Sequence, residues 1–311
     1  MEVTKDIIKY KFRHSTYYAE ISPNKKYLAV VGKKIYIYNY ETGKKEKVYQ
    51  ILRYPSKIAF SNDSSLLAIK NTSGHIAVVN ILTDEVVCEN KMHNVEGCEL
   101  YFSSDNRYII TGDWDGNIML LDIIKNDYKD LCVFQKNENN GHLHNIQREG
   151  DDKFIFQSSY FGNFTKGEWS YPFSNGMEIK NNKGFEMELY NPKNHLYARL
   201  TSAWEGYNIV NEQENTIMTL ELLNRIERYH ASLDGVAWSV DGEYFATVIK
   251  RYDPEENVVN SIRFYETKTW TIVKEYDMKY ACFVRFTPDG ENIILGSWLA
   301  GYCIDIKELE R

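Results

Sequence analysis

These 311 residues predict an all-β chain built from seven copies of one four-stranded antiparallel unit. Three observations carry that expectation. A strand–turn–strand phrase recurs at a spacing of about 40–48 residues, the length of one propeller blade. Aromatic residues make up 14% of the chain, with 24 Tyr, a loading that favours strands over helices. The two ends are complementary, one holding a spare strand and the other lacking one. Together they specify a seven-bladed β-propeller.

The recurring phrase is clearest in "AEISPNKKYLAVV" (19–31), "IAFSNDSSLLAIK" (58–70), "LYFSSDNRYIITG" (100–112), "VAWSVDGEYFATV" (236–248) and "VRFTPDGENIILG" (284–296). A short apolar strand ends in Ser or Thr. A turn with Asp, Asn, Gly or Pro follows, then a second apolar strand. Asp and Asn tolerate left-handed backbone, Gly takes it freely and Pro presets one dihedral, so this is hairpin chemistry. Two weaker copies, "HNIQREGDDKFIFQS" (144–158) and "MELYNPKNHLYARLT" (187–201), fill the gap and bring the total to seven.

A third strand follows, ending in an aromatic or aliphatic residue and then a carboxylate or amide: Tyr38-Asn39, Val79-Asn80, Leu121-Asp122, Tyr265-Glu266 and Ile304-Asp305. Fourth strands such as "KEKVY" and "EVVCE" come after one more turn. Helical periodicity is confined to the short "LELLNRIERYH" (220–230). After Asp305 six residues remain, too few for a turn and an outer strand, while "DIIKYKF" (6–12) alternates apolar with polar. Residues 6–12 are therefore expected to supply the outer strand of the seventh blade and remove an open edge. One domain over 1–311 results, with blades near 13–50, 51–91, 92–136, 137–180, 181–222, 223–278, and 279–311 joined by 5–12.

Composition excludes some classes of function. A net charge of −7 argues against nucleic acid or an anionic membrane as the main partner, since both require a basic footprint. No stretch approaches the roughly 18 apolar residues of a spanning helix. The five Cys (Cys88, Cys98, Cys132, Cys282, Cys303) are scattered and never spaced as CxxC, which suits free thiols in a reducing, cytoplasmic setting.

The repeats resemble those of the WD-repeat β-propellers over nearly the whole chain. The best copy runs from His93 to Asp122. Family repeats carry a His nine residues before the aromatic that ends the first strand, as His93 stands to Phe102. They carry an Asp in the second-to-third-strand turn, six residues before the Trp of Trp-Asp, as Asp115 stands to Leu121. The dipeptide slot therefore holds Leu121-Asp122, and Trp114-Asp115 is not the family signature. The family hydroxyl two residues before the turn Asp is replaced by Asp113. The resemblance implies a His93–Asp115 hydrogen bond. It also implies that the second-to-third-strand turns lie on one rim, near the axis, where partners usually dock.

Those turns are aromatic in several copies: "DWDG" (113–116), "SYFG" (159–162), "AWEG" (203–206) and "SWLAG" (297–301). Blade six has its longest insertion there, "KRYDPEENVVN" (250–260), whereas blades one and two have "GKK" (32–34) and "NTSG" (71–74). The expected surface is a partner-binding crescent of Trp114, Asp113, Asp115, Tyr160, Trp204, Glu205, Tyr252 and Trp298. Trp and Tyr dominate interface hot spots, and ring faces beside carboxylates favour a protein or peptide bearing Lys or Arg. The competing reading is that these aromatics pack sideways and stiffen the rim.

No P-loop, GxGxxG, HExxH, GxSxG or CxxC occurs. His142 and His144 of "GHLHN" form a conceivable metal pair without a third ligand, and no cofactor is expected. The expected function is a non-catalytic scaffold. The alternative is a propeller hydrolase or lyase using axial polar residues, of which Glu20, Glu99 and Arg285 are the candidates.

Overall fold

A computed structural model describes residues 3–93, 95–97, 99–133, 142–160, 163–183, 185–201, 206–221, 235–252 and 258–310. Their strands form seven four-stranded antiparallel sheets, the seven-bladed β-propeller class. The chain falls into two compact units, Glu20–Met187 and Met1–Ala19 with Glu188–Arg311.

Apart from Tyr18 and Ala19, the first unit carries blades one to four. Blade one is Tyr18–Ile21, Tyr27–Val31, Ile35–Asn39 and Lys45–Tyr49. Blade two is Pro55–Phe60, Leu66–Asn71, His75–Asn80 and Val86–Lys91. Blade three is Leu100–Phe102, Tyr108–Gly112, Asn117–Asp122 and Asp127–Val133. Blade four is His142–Glu149, Lys153–Tyr160, Asn163–Ser170 and Glu178–Lys183.

The middle strands are apolar without alternation because both of their faces are covered. Successive side chains point to opposite faces of a strand. In blade three, Ile109, Met119 and Leu121 pack with Ala68, Ile76 and Val78 of blade two. Ile110, Ile118 and Leu120 turn the other way, onto Leu143, Ile146, Phe154 and Phe156 of blade four. Each such side chain contributes about 1.5–3 kcal/mol by leaving water. In the outer strand of blade two the register shifts between Cys88 and Val86, so Val86 and Val87 are both exposed while Cys88 is buried.

Turn chemistry accounts for the recurring phrase. Ser103 Oγ donates to Asp105 Oδ1 (2.5 Å) and accepts from Tyr108 N (3.0 Å), while Asp105 Oδ1 accepts from Arg107 N (3.1 Å). Ser22 with Asn24, Ser61 with Asp63, Ser239 with Asp241 and Thr287 with Asp289 repeat the arrangement. The carboxylates of the phrase thus shape hairpins, as their position in the turn suggested. Gly242 and Gly290 of these turns stand at φ +77° and +73°, a region that suits glycine. The amide or carboxylate after the third strand works similarly: Asn80 Oδ1 accepts from Leu82 N (2.9 Å), and Asp122 Oδ1 from Ile124 N and Lys125 N (3.1 Å each).

The second unit carries blades five to seven. Blade five is Phe185–Asn191, Leu196–Thr201, Gly206–Asn211 and Thr216–Glu221; blade six is Val236–Trp238, Tyr244–Tyr252, Val258–Glu266 and Ile272–Asp277. Blade seven is Ala281–Phe286, Asn292–Ser297 and Gly301–Asp305, with Ile8–Phe12 as its outer strand. The closure expected from the chain ends is therefore present. Ile8 pairs with Ile304, and after a bulge Tyr10, Lys11 and Phe12 pair with Cys303, Tyr302 and Gly301. Phe12 is fully buried. A Cβ at Gly301 would lie 2.8 Å from the Phe12 ring and 2.4 Å from Thr16 Oγ1, so the incoming segment fits because that residue has no side chain. Of "LELLNRIERYH", Leu220 and Glu221 end an outer strand and 222–230 lie outside the described residues.

Candidate interaction surface

The turn at Trp114 is built by its neighbours. Asp113 Oδ1 accepts from Asn117 N (3.0 Å), and Asn117 Nδ2 donates to both carboxylate oxygens (3.0 and 2.8 Å). Asp113 is 1% exposed. This corrects the expectation that it stands on the docking surface: its acceptors close the hairpin, and a partner cannot reach them. Asn71 in blade two does the same work, its Oδ1 accepting from Ser73 N (2.9 Å) and His75 N (3.0 Å). In blade seven Ser297 Oγ accepts from Leu299 N (3.2 Å) and Ala300 N (3.0 Å).

The next residue has its backbone tied down in all three blades. Thr72 N donates to Tyr54 O (3.2 Å), Trp114 N to Glu96 O (2.9 Å) and Trp298 N to Tyr280 O (3.2 Å). Its side chain is left outside the turn. Trp114 is 43% exposed and Trp298 64%. Trp298 rests against Tyr17, ring centroids 5.0 Å apart, beside the exposed Leu299 and Tyr280. Asp115 is exposed next to Trp114.

Of the remaining expected residues, Tyr160 ends a second strand opposite Asn163 and Tyr252 ends another opposite Val258. Trp204 and Glu205 lie outside the described residues. Two exposed aromatics were missed by sequence reasoning, Tyr54 and Tyr280. Each stands six residues before the aromatic that ends its first strand, a repeated position that alignment of the phrases on Phe60 and Phe286 makes visible.

Beneath the Trp114 turn lies a buried charged group. Lys70, 1% exposed, donates to Thr111 Oγ1 (2.9 Å) and Gly112 O (2.6 Å), tying blade two to blade three. A Cβ at Gly97 would stand 2.1 Å from Gly112 O and 2.8 Å from Lys70 Nζ, so glycine permits this approach. Burial raises the Glu96 carboxyl above its ordinary value, partly offset by Lys57 and Lys70.

The His93–Asp115 hydrogen bond implied by the resemblance is not formed. His93 Nε2 meets Asp130 Oδ1 of the outer strand instead, at 2.8 Å. The axial candidates are joined to adjacent strands. Glu99 pairs with Lys57 at 2.7 Å, and Glu20 Oε1 lies 3.4 Å from Phe60 N. Arg285 donates to Ala19 O (3.0 Å) and Tyr18 Oη (2.9 Å), its guanidinium over the Tyr18 ring. Such bonds stitch blades together. Among the described residues no group of three or more His, Cys, Asp or Glu could hold a metal ion, and no helix is long and apolar enough to cross a membrane.

Residues 87–122 match the family model of the WD domain, G-beta repeat. That stretch contains the outer strand of blade two and the inner three strands of blade three, with Trp114 on its turn. No curated protein matches the chain. Propellers of the matched family commonly serve as protein-interaction scaffolds and are generally not enzymes. Seven four-stranded antiparallel blades, the last completed by Ile8–Phe12, together with that match make the chain a WD-repeat-like β-propeller.

Proposed function

We propose that this propeller is a non-catalytic scaffold that binds a protein or peptide through its aromatic second-to-third-strand turns. Trp114 with Asp115 and Trp298 with Leu299 are the described members, and Tyr160, Trp204, Glu205 and Tyr252 are assigned with them from the repeat. One observation carries this reading. Thr72 occupies the Trp114 slot of blade two and makes the same backbone bond, so the turn folds without an indole. The two indoles are 43% and 64% exposed where a threonine suffices, and a large exposed ring on a rigid turn suits a hot spot. At Trp114 the adjacent Asp115 carboxylate and the ring face favour a Lys or Arg on the partner. A reducing, cytoplasmic setting agrees with the thiols of Cys88, Cys132 and Cys303.

The test uses Trp114→Ala and Trp298→Ala. As exposed turn residues each should cost less than about 1 kcal/mol, against about 3–5 kcal/mol for a core Trp, so thermal melts come first. Affinity capture from the host should then lose the same bound protein with one or both variants. A large fall in both melts, or capture unchanged by both substitutions, would overturn the proposal.

A further inference from the structure

Blade five departs from the first-hairpin chemistry that five other blades share. Blades one, two, three, six and seven all close the first hairpin with a Ser or Thr hydroxyl on an Asp or Asn two residues on. Blade five has Asn191-Pro192-Lys193 there. Asn191 Oδ1 accepts from Lys193 N (2.8 Å), Asn194 Oδ1 accepts from Leu196 N (3.2 Å), and Asn194 Nδ2 donates to Gly242 O (3.0 Å). Three other side chains meet at this end of the blade. Tyr190 comes from the end of the first strand, His195 from the first hairpin and Glu212 from the turn after the third strand. Tyr190 Oη lies 3.1 Å from His195 Nδ1 and 2.9 Å from Glu212 Oε1, and His195 Nδ1 lies 3.0 Å from Glu212 Oε1.

We propose that Tyr190, His195 and Glu212 form a surface site for a divalent transition-metal ion, Cu2+ in preference to Zn2+. Three donor atoms at the corners of a nearly equilateral triangle match one face of a coordination octahedron. Bonds of about 2.1 Å place neighbouring ligands about 3 Å apart. Imidazole nitrogen with oxygen donors suits Cu2+, which binds such sets more tightly than Zn2+. His195 ligates through Nδ1 with its proton on Nε2, Glu212 supplies the negative charge, and the Tyr190 hydroxyl releases its proton on binding. Water completes the coordination, since His195 and Glu212 are both exposed.

The surroundings favour a cation. Glu188 and Glu214 share Arg199, whose guanidinium covers the Tyr197 ring, and Tyr197 packs on Tyr190 at 4.6 Å. Three carboxylates thus stand against Arg199 and the exposed Lys193. His195 is held at φ +55°, and Asn211 Oδ1, which accepts from Gln213 N and Asn215 N, fixes the loop bearing Glu212. The donors are therefore placed by backbone that is already ordered.

The full chain, stripped with EDTA, is titrated calorimetrically with Cu2+ and separately with Zn2+. One equivalent should bind, Cu2+ more tightly. His195→Asn, which keeps a residue suited to positive φ, and Glu212→Gln should each weaken it at least tenfold with unchanged melting in EDTA. The Cu2+ electron paramagnetic resonance spectrum should show coupling to one nitrogen, absent in His195→Asn. His142→Asn with His144→Asn should leave the equivalent in place. No binding by the wild type, wild-type affinity in both site variants, or loss of the equivalent in the His142/His144 variant would each overturn the assignment.

Discussion

Ser103 is fully buried, and its single hydroxyl satisfies two neighbours. It gives its proton to Asp105 and takes the amide proton of Tyr108. Replacement by Ala leaves that amide unpaired inside the protein, and the expected cost in a thermal or urea melt is about 1–3 kcal/mol. Burial acts to raise the Asp105 carboxyl, but the Ser103 hydroxyl and the Arg107 amide outweigh it and hold it below the ordinary aspartate value. A depressed carboxyl stabilises the fold above its unfolded value of about 3.9, and that contribution is lost as pH falls through the folded value. Asn24 fills the same slot in blade one with the same bonds. Asp105→Asn should therefore keep neutral-pH stability close to wild type and weaken the loss of stability between pH 5 and the acid limit, read from melts across that range.

At the scale of the element, the outer strand Ile8–Phe12 joins the beginning of the chain to its last blade. Deleting residues 1–12 removes four paired residues, the buried Phe12 among them, leaving Gly301–Asp305 as an open edge. The truncated chain should melt markedly lower and aggregate, checked by thermal scanning with light scattering. A truncated chain that melts like the intact one would show that this pairing contributes nothing to stability. The strand was legible beforehand because its alternation of apolar and polar residues is a property of contiguous sequence. The Ser–Asp hairpins were legible for the same reason, each being written in about six consecutive residues. The His195 turn was not, because its bonds run to Tyr190 and Glu212 and depend on how three segments of blade five meet.

At the scale of the whole molecule, the thiols report the environment each blade provides. Burial, with the nearby Asp122 charge, pushes Cys88 up to about 11, and burial pushes Cys303 up to about 12. Cys132 is raised too, also by burial. Such thiols are almost wholly protonated at pH 8 and are poor nucleophiles. Cys88 and Cys303 should therefore resist alkylation until the protein is denatured. Mass spectrometry of the unreduced, denatured and alkylated chain should find all five cysteines modified. A disulfide in that experiment would refute the reducing setting proposed for the scaffold.

The sequence by itself determined the number of blades, the hairpin chemistry, the closing strand and the aromatic character of the second-to-third-strand turns. These follow from the pleat period and from turn residues that bond to their own neighbours. Only the tertiary structure decided which polar side chains are available. Asp113 and Asp115 flank Trp114 in one turn and were both expected on the surface, yet one is consumed by Asn117 and the other is exposed. His93 reaches Asp130 and not Asp115, and Lys70 disappears between two blades onto Thr111 and Gly112. The reason is physical. A buried polar group must find a partner wherever packing brings one within about 3 Å, and such a partner can lie some 40 residues away in the chain, on the next blade.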